Sequence, residues 1–269
     1  MVNTRKDCFD LFQLMPQGTI HLSALMCGEH RSKVIEKIKK ALQKGLPIRV
    51  ISTQLVEAGV DIDFPVVYRA LSGLDSVAQS GGRCNREGTL NTVGKLGRIV
   101  VFIPPKHSPG GLLRKGEDTT RELIHTGKIN LDHPDIFDRY FSLFYGKVND
   151  TGDKFKDWLI KDAPDLHVQF RTAAKAFNLI EQTSRPLFVT YGNSGKFLKE
   201  LRHIGPTREN MRKLQRYSVN VSKTDFEKIK HQGLIDEVWP EFWAWLGPYS
   251  NSHGLDIFGQ GWAPEDLIS

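Results

Sequence analysis

The first hundred residues of this 269-residue chain are predicted to form an α/β fold, a parallel sheet covered by helices. Short apolar runs alternate there with amphipathic helical patterns, as expected when each strand is followed by a crossover helix. The last of these runs, at 98–104, is continuously apolar, as in a strand buried on both faces. A change of pattern near residue 165 indicates a second, smaller unit of mixed α and β structure.

The elements of the first unit follow from local signals. Apolar residues recur every three or four positions in the predicted helices, and Gly45 and Pro104 end their elements. Only Val2 follows Met1 where the sheet requires a first strand, so we expect a sheet cut at that strand, in a piece of a larger protein. The predicted order is a helix at 6–15, a strand at 19–25, a helix from about 32 to 45, strands at 47–53 and 63–71, a helix from about 75 and a strand at 98–104.

The remainder divides less clearly. Residues 106–165 are interpreted as an extension and linker with one packed helix at DIFDRYFSLFYG, which gives boundaries of 1–150, a linker at 151–165 and an accessory domain at 166–269. In that domain the pattern predicts a strand at 186–192, helices at 194–204 and 208–217, a strand at 217–221 and a helix at 222–233.

Composition narrows the class of protein. Lys and Arg number 37 against 31 Asp and Glu, a net charge of +6 that favours a polyanionic partner. The three cysteines form no CxxC pair, so neither a disulfide framework nor a metal site is predicted. With no signal peptide and no apolar run of membrane length, we expect a cytoplasmic protein without a membrane partner.

A first candidate site lies in RVISTQLVEAGVDID, residues 49–63. The strand ends at Ser52 and Thr53 and passes into a helical turn, where hydroxyls and free backbone N–H groups stabilise phosphate. Two acidic residues, Asp61 and Asp63, follow. An ordinary helix N-cap is the alternative interpretation.

A second candidate site lies in DSVAQSGGRCNREG, residues 75–88. Gln79, Arg83 and Arg86 are spaced by four and three, so a helical backbone would place them on one side. Two close guanidinium groups repel unless an anion lies between them, and a nucleotide triphosphate is the natural candidate. A solvated helix face is the alternative. Together the two segments indicate a phosphate-binding α/β domain.

These segments resemble known motifs. STQLVEAGVDID resembles motif V and QSGGRCNREG motif VI of superfamily 2 helicases, while VNTR at 2–5 and CGEHR at 27–31 resemble motif IV and the motif that follows it. The surrounding sequence, including AFNLIEQTSRPLFVTYG and KLQRYSVNV, resembles the CRISPR-associated helicase-nuclease of type I systems. The resemblance implies a second RecA-like lobe and a mixed α+β carboxy-terminal domain of an ATP-driven DNA translocase.

The resemblance also implies residue roles. Asp61 would approach the ATP ribose, and Gln79, Arg83 and Arg86 would face the triphosphate, with Arg86 as the arginine finger. Glu57 lies in the same motif with its role open. A second set would contact the DNA backbone or brace the motifs: Ser52, Thr53, Asn3, Thr4 and Arg31.

Neither GxxxxGK[ST] nor DExH occurs in the sequence, and GNSGKF at 192–197 has Phe197 where the hydroxyl is needed. ATP and Mg²⁺ are therefore expected to be shared with a first lobe that this sequence does not contain. The expected partners are single-stranded DNA, the amino-terminal helicase and nuclease half and an RNA-guided surveillance complex. Alone, the chain is expected to be an incomplete ATPase. The alternative is a stand-alone protein that binds DNA or the surveillance complex without turnover.

Two further clusters of residues each have two possible roles. One is a set of cations on a predicted helix that either contacts DNA phosphates or forms a solvated face: Arg208, Arg212, Lys213 and Arg216. The other is an aromatic set that either stacks on bases or forms a small core: Trp239, Phe242, Trp243 and Trp245.

Overall fold

The computed structural model describes residues 1–57, 60–127, 129–131, 133–148, 152–161, 168–176 and 184–258. The chain forms two compact units. The larger contains Met1–Leu71, Asp75–Ser108 and Ser184–Ser269, and the smaller contains Ser72–Leu74 and Pro109–Thr183. Among the described helices, none has the length and apolar character needed to cross a membrane.

The first elements match the predicted order of helices and strands. They are α1 (Arg5–Leu14), β1 (Ile20–Leu22), α2 (Gly28–Gln43), β2 (Val50–Ser52), a 3-10 turn at Gln54–Val56, β3 (Val66–Ala70), α3 (Leu74–Gly81) and β4 (Arg98–Phe102). Helices α1 and α2 cover β1, and α1 also covers β2.

The parallel sheet consists of two strand pairs with a short piece of chain between them. β1 pairs with β2 and β3 with β4, both in parallel. The N–H of Val2 donates to the carbonyl of Ser52 at 2.9 Å, and the N–H of Ala70 donates to the carbonyl of Met1 at 2.9 Å. The spatial order is therefore β1, β2, residues 1–2, β3 and β4. The prediction of a parallel α/β lobe is confirmed.

The smaller unit is helical in its described part. It contains α4 (Leu112–Thr126), α5 (Asp135–Gly146), α6 (Asp153–Lys156), a π-turn at Asp157–Lys161 and α7 (Phe170–Ala176). The helix predicted at DIFDRYFSLFYG is α5. Leu123 of α4 packs against Ile136 and Tyr140 of α5. A Cβ at Gly116 would lie 3.1 Å from the Tyr140 hydroxyl, so glycine lets the two helices approach closely.

Helix α4 was not predicted, because its buried face is small and polar. Thr119 and Thr120 are buried and donate to the carbonyls of Lys115 and Gly116, four residues earlier in each case. Leu123 is a buried apolar side chain of this helix, but Leu112, Leu113 and Ile124 are exposed. The usual apolar periodicity of a helix is therefore missing from the sequence.

The remaining elements return to the larger unit. They are β5 (Ser184–Phe188), α8 (Ser194–Ile204), α9 (Arg208–Leu214), β6 (Ser218–Ser222), α10 (Lys223–His231), β7 (Ile235–Trp239), β8 (Phe242–Trp245), β9 (Tyr249–Ser250) and β10 (Gly254–Leu255). The strand order is β6, β5, β8, β7, in which β5 and β8 are parallel and the other pairs antiparallel. β9 and β10 form a separate antiparallel pair.

This second sheet shares an apolar core with the beginning of the chain. Phe9, Leu25 and Cys27 belong to the same buried cluster as residues of β5, β6 and α10. The N–H of Leu255 donates to the carbonyl of Leu25 at 2.8 Å. Packing therefore divides the chain differently from the predicted boundary at 151–165, because residues 184–258 are buried against the unit that holds the parallel sheet.

His21 of β1 is buried in this region beside the rings of Phe12 and His253. Neither of its ring nitrogens has a hydrogen-bond partner among the described residues. Burial, with the neighbouring His253 and His30, lowers the pKa of His21 from 6.5 to about 4. The ring is therefore neutral in the folded chain at neutral pH.

We expect this histidine to weaken the fold in acid. The unfolded chain takes up a proton below pH 6.5 while the folded chain does not until about pH 4, so the unfolding free energy falls as pH decreases through this window. Between pH 7 and pH 5 the contribution is about 2 kcal/mol. Urea unfolding of the parent and of His21→Leu at both pH values measures it, because carboxylate titration is common to both. A difference between the two proteins that does not change with pH would contradict the prediction.

Candidate functional site

A buried ion pair links the segment after β2 to β3. Arg69 Nη2 lies 3.1 Å from Glu57 Oε1, and the two side chains are 1% and 7% exposed. Burial raises the pKa of Glu57 and lowers the pKa of Arg69, while their mutual attraction opposes both changes. We take both groups as charged, because each is the partner of the other.

Hydroxyl and amide groups complete this network. Ser76 of α3 donates to Glu57 at 2.8 Å and accepts from Arg69 Nη2 at 2.8 Å. Ser80, one turn later, donates to Glu57 at 3.2 Å. On the other side, Arg69 Nη1 donates to Asn3 Oδ1 at 2.6 Å. The network thus joins residue 3, the segment after β2, β3 and α3.

Arg83 is tied to the same segment by its guanidinium group. Its Nε donates to the carbonyl of Val56 at 2.9 Å and its Nη2 donates to the carbonyl of Glu57 at 2.7 Å. The arginine therefore braces the two predicted sites against each other.

Arg86 is different, since its side chain is 43% exposed. Its Nη1 lies 2.6 Å from Oδ1 of Asp61, which is 66% exposed and also lies 3.8 Å from Lys39 Nζ. Asp63 accepts from the backbone N–H groups of Arg86 and Glu87 at 2.8 and 3.1 Å. The loop that carries Arg86 is therefore held by its backbone, and its guanidinium group faces solvent beside an exchangeable carboxylate.

The predicted helical arrangement of Gln79, Arg83 and Arg86 is wrong. Helix α3 ends at Gly81, so only Gln79 is helical and the two arginines lie in the loop that follows. Two consecutive glycines, Gly81 and Gly82, account for the early end of the helix. Gln79 is exposed. The spacing of four and three therefore does not mark one face of a helix, because the backbone that presents the two arginines is a loop.

Ser52 and Thr53 lie at the end of β2, as predicted, and their side chains are 3% and 6% exposed. Thr53 precedes the 3-10 turn, but its side chain makes no capping hydrogen bond. The carbonyl of Ser52 accepts the N–H of Val2. Both residues therefore fix the end of the strand and present little side-chain surface.

Three more residues were assigned by resemblance. Asn3 is buried and donates from Nδ2 to the Leu71 carbonyl at 2.8 Å and to Ser108 Oγ at 2.9 Å, which gives it a bracing position. Thr4 caps α1 by accepting the N–H of Asp7 at 3.0 Å. The side chain of Arg31 is half-buried on α2 and has no hydrogen-bond partner within the described ranges.

Residues of both carboxy-terminal clusters, the cationic one and the aromatic one, make contacts within the chain. Arg216 pairs with Glu29 of α2 at 2.7 Å, and Lys213 pairs with Glu209 of its own helix at 2.6 Å. In the aromatic cluster, Trp245 is buried and donates to the Pro248 carbonyl at 3.0 Å. Trp243 packs edge-on against Phe226. These contacts favour a core role for the tryptophans of β8.

The sequence patterns did not single out Arg69. A strand with an otherwise apolar run, VVYRA, carries one arginine, and an ionised group in such a run is expected to be paired. That isolated charge was the available signal, and its partner Glu57 could be found only through the fold.

The sequence of the chain is similar to that of one family of known proteins. Residues 1–89 match the family model described as the C-terminal domain of the CRISPR-associated nuclease/helicase Cas3. The chain is 44% identical over 103 residues to the CRISPR-associated nuclease/helicase Cas3 of Haloferax volcanii, which covers 36% of the chain and 11% of that protein. It is 43% identical over 95 residues to the protein of the same name from Methanothermobacter thermautotrophicus, covering 35% of the chain and 11% of that protein. The chain thus spans about a tenth of the length of these relatives.

The fold is similar to that of solved Cas3 structures. The crystal structure of T. fusca Cas3 matches with a TM-score of 0.53 and 15% identity over 84% of the chain and 32% of that protein. The ADP complex of T. fusca Cas3 matches with a TM-score of 0.53 and 12% identity over 94% of the chain and 37% of that protein. Residues 1–89 are thus similar in sequence to the C-terminal domain of the CRISPR-associated nuclease/helicase Cas3, and the chain has a fold similar to a carboxy-terminal part of the solved Cas3 proteins.

Proposed function

We propose that the chain supplies the second RecA-like lobe of a cytoplasmic, ATP-dependent single-stranded DNA translocase of CRISPR defence. The observation that carries this proposal is the pairing of a braced arginine with an exposed one. Arg83 fixes the loop to the segment after β2, and Arg86 presents its guanidinium group to solvent beside Asp61. A catalytic cation supplied by one lobe to a nucleotide on another requires this combination of rigid support and free access.

The residues present fit half of an ATP site. Arg86, Arg83 and the exposed Gln79 offer donors suited to phosphate oxygens. The carboxylate of Asp61 forms an exposed ion pair with the guanidinium group of Arg86. Such a pair stabilises the fold by about 0–1 kcal/mol, so a phosphate can readily replace the carboxylate. ATP and Mg²⁺ would be held mainly by a first lobe, which supplies the P-loop, and Asp61 would be released towards the ribose.

The DNA side of the proposed lobe would be formed by the residues that the resemblance assigns to the DNA backbone. Thr53, with Ser52 behind it, ends β2, and Asn3 is tied to Arg69. Because Ser52, Thr53 and Asn3 are buried, they position the backbone at this edge, while Thr4 and Arg31, which are less buried, are closer to solvent. An amino-terminal helicase and nuclease half and an RNA-guided surveillance complex would be the protein partners.

ATP hydrolysis tests the proposal. The 269-residue chain alone should show negligible turnover with or without single-stranded DNA, and mixing it with a polypeptide that carries a P-loop lobe of a Cas3 protein should produce DNA-stimulated hydrolysis. DNA binding without any turnover in the mixture would favour the stand-alone binding protein instead. Hydrolysis by the chain alone would contradict the assignment of a half site.

DNA binding by the chain is expected to be electrostatic and independent of sequence. The candidate residues that keep exposed surface, Thr4 and Arg31, offer a hydroxyl and a cation, which suit phosphates and carry no base-reading pattern. If about three phosphates are neutralised, the Kd for single strands should rise about 20-fold between 50 and 200 mM salt. Fluorescence anisotropy with two unrelated oligonucleotides measures this. Equal affinity at both salt concentrations, or a large preference for one oligonucleotide, would contradict the expectation.

A further inference from the structure

The first turn of α2 is joined to the strand pair β9–β10 by a small hydrogen-bond network. The N–H of Cys27, the residue before the helix, donates to the Tyr249 hydroxyl at 2.9 Å. Nδ1 of His30 lies 3.0 Å from the same hydroxyl, and its Nε2 lies 3.1 Å from the carbonyl of Asn251. The start of α2 is therefore held by residues that are 219 to 222 positions away in the sequence.

These hydrogen bonds fix one tautomer of His30, which is 2% exposed. A carbonyl oxygen can only accept, so Nε2 carries the proton and donates to Asn251. Nδ1 then accepts the hydrogen of the Tyr249 hydroxyl, whose oxygen accepts from Cys27. Burial lowers the pKa of His30, so the ring stays neutral at neutral pH. Because both ring nitrogens and the hydroxyl are satisfied, the network favours a single arrangement of this turn.

Two further contacts hold the same turn of α2. The ring of His30 stacks on Tyr191, which precedes α8, with centroids 4.7 Å apart and an interplanar angle of 21°. Arg216, which precedes β6, places Nη2 2.7 Å from Oε2 of Glu29. A Cβ at Gly28 would lie 3.4 Å from the Arg216 carbonyl, so the two backbones approach closely. Three separate segments of the carboxy-terminal part thus enclose the start of the helix.

Arg31 directly follows this turn, and it lies near a second guanidinium group, that of Arg5 in α1. Nη1 of Arg5 donates to the Asn220 carbonyl of β6 at 2.6 Å. Burial lowers the pKa of Arg5, Asp225 opposes this change, and the nearby charge of Arg31 adds to it. Two guanidinium groups at close range are stabilised by an anion, and phosphate suits their donors. Both arginines depend on the carboxy-terminal sheet, Arg5 directly and Arg31 through the turn before it.

We propose that His30 and Tyr249 are positioning residues that fix Arg31 for contact with a phosphate of single-stranded DNA, and that Arg5 contacts the same backbone. The inference rests on the proposed function for the identity of the ligand. A long side chain binds a phosphate well when its backbone is already in place, since less freedom is lost on binding. The strand pair β9–β10 therefore affects DNA affinity without contacting DNA.

A double-mutant cycle on the 269-residue chain tests the coupling, with a labelled strand of about 20 thymidines as the probe. Arg31→Ala should raise the Kd about tenfold, as expected for one charge-assisted contact. Tyr249→Phe should raise the Kd about threefold in the parent and leave it unchanged in Arg31→Ala, because it acts only through that side chain. Ile229→Val removes one methyl group from the same buried core and should keep the parental Kd.

The opposite results are equally specific. The same threefold loss in both backgrounds, or a loss in Ile229→Val that matches Tyr249→Phe, would show that Tyr249 only stabilises the fold. A parental Kd in Arg31→Ala would also overturn the inference. These outcomes are separate from the ATPase test of the proposed function, which needs the P-loop lobe.

Hydrogen exchange without DNA checks the structural step alone. Tyr249→Phe should speed exchange of the Cys27 and Arg31 amides about tenfold, while the Ile38 amide in the middle of α2 keeps its parental rate. Unchanged exchange at Cys27 and Arg31 would overturn the positioning role, whatever the DNA affinity of the variant.

Discussion

Arg69→Met should lower the unfolding free energy of the chain by about 3–5 kcal/mol, because it leaves an ionised carboxylate buried without its partner. The side chain of Glu57 is 7% exposed, and its remaining donors are the hydroxyls of Ser76 and Ser80. Asn3 Oδ1 loses a hydrogen bond in the same change. Methionine has similar length, so the loss reports charge pairing more than packed volume. Urea unfolding at pH 7 measures the difference.

A double variant and a surface pair provide the controls. Adding Glu57→Met to Arg69→Met removes the unpaired carboxylate and should recover a large part of the lost stability, as expected when both members of a buried pair are replaced by apolar groups. Arg202→Met breaks an ion pair with Asp236 whose members are 47% and 39% exposed, and should change stability by about 1 kcal/mol or less. Comparable losses in Arg69→Met and Arg202→Met would show that the network contributes little.

The parallel lobe was predictable because its local signals agree. Each predicted helix and strand between residues 6 and 104 has a counterpart, with ends shifted by a few residues. Helix α4 shows the limit of this approach, since its buried side chains include threonines and a glutamate. The strands β7 to β10 show another limit. Their tryptophans, glycines and prolines carry no period, and their positions are fixed by contacts such as that of Leu255 with Leu25.

The candidate site was predictable as a set of segments but not as a geometry. Spacing identified Gln79, Arg83 and Arg86, yet it gave them a helix that stops at Gly81. The spacing could not show that Arg83 donates to two backbone carbonyls while Arg86 remains exposed. That difference depends on how residues 54–57 pass beside the loop. The buried pair of Glu57 and Arg69 joins residues that are twelve apart, a separation that no local period reports.

Arg86→Ala should lower ATP turnover by about a thousandfold in the enzyme reconstituted with a P-loop lobe. Hydrolysis spreads negative charge over the transferred phosphoryl group, so a cation that meets this charge acts mainly on the transition state. DNA affinity should therefore change little. Turnover and DNA affinity measured side by side on parent and variant give the two numbers.

The chemistry of the side chain decides between an arginine finger and a solvated loop. Arg86→Lys should recover little of the lost turnover, because an ammonium group cannot reproduce the two-pronged donation of a guanidinium group. Arg202→Ala, a change at another exposed and ion-paired arginine, should keep the parental turnover.

The ion pair between Arg86 and Asp61 allows a further test of the role of Arg86. If Arg86 served only to hold Asp61, then Asp61→Asn would reproduce the full loss of Arg86→Ala. An arginine finger instead predicts that Asp61→Asn mainly raises the KM for ATP, since the guanidinium group stays available to the phosphoryl group. Parental turnover in Arg86→Ala would show that the loop is a solvated surface and that the proposed half site is elsewhere.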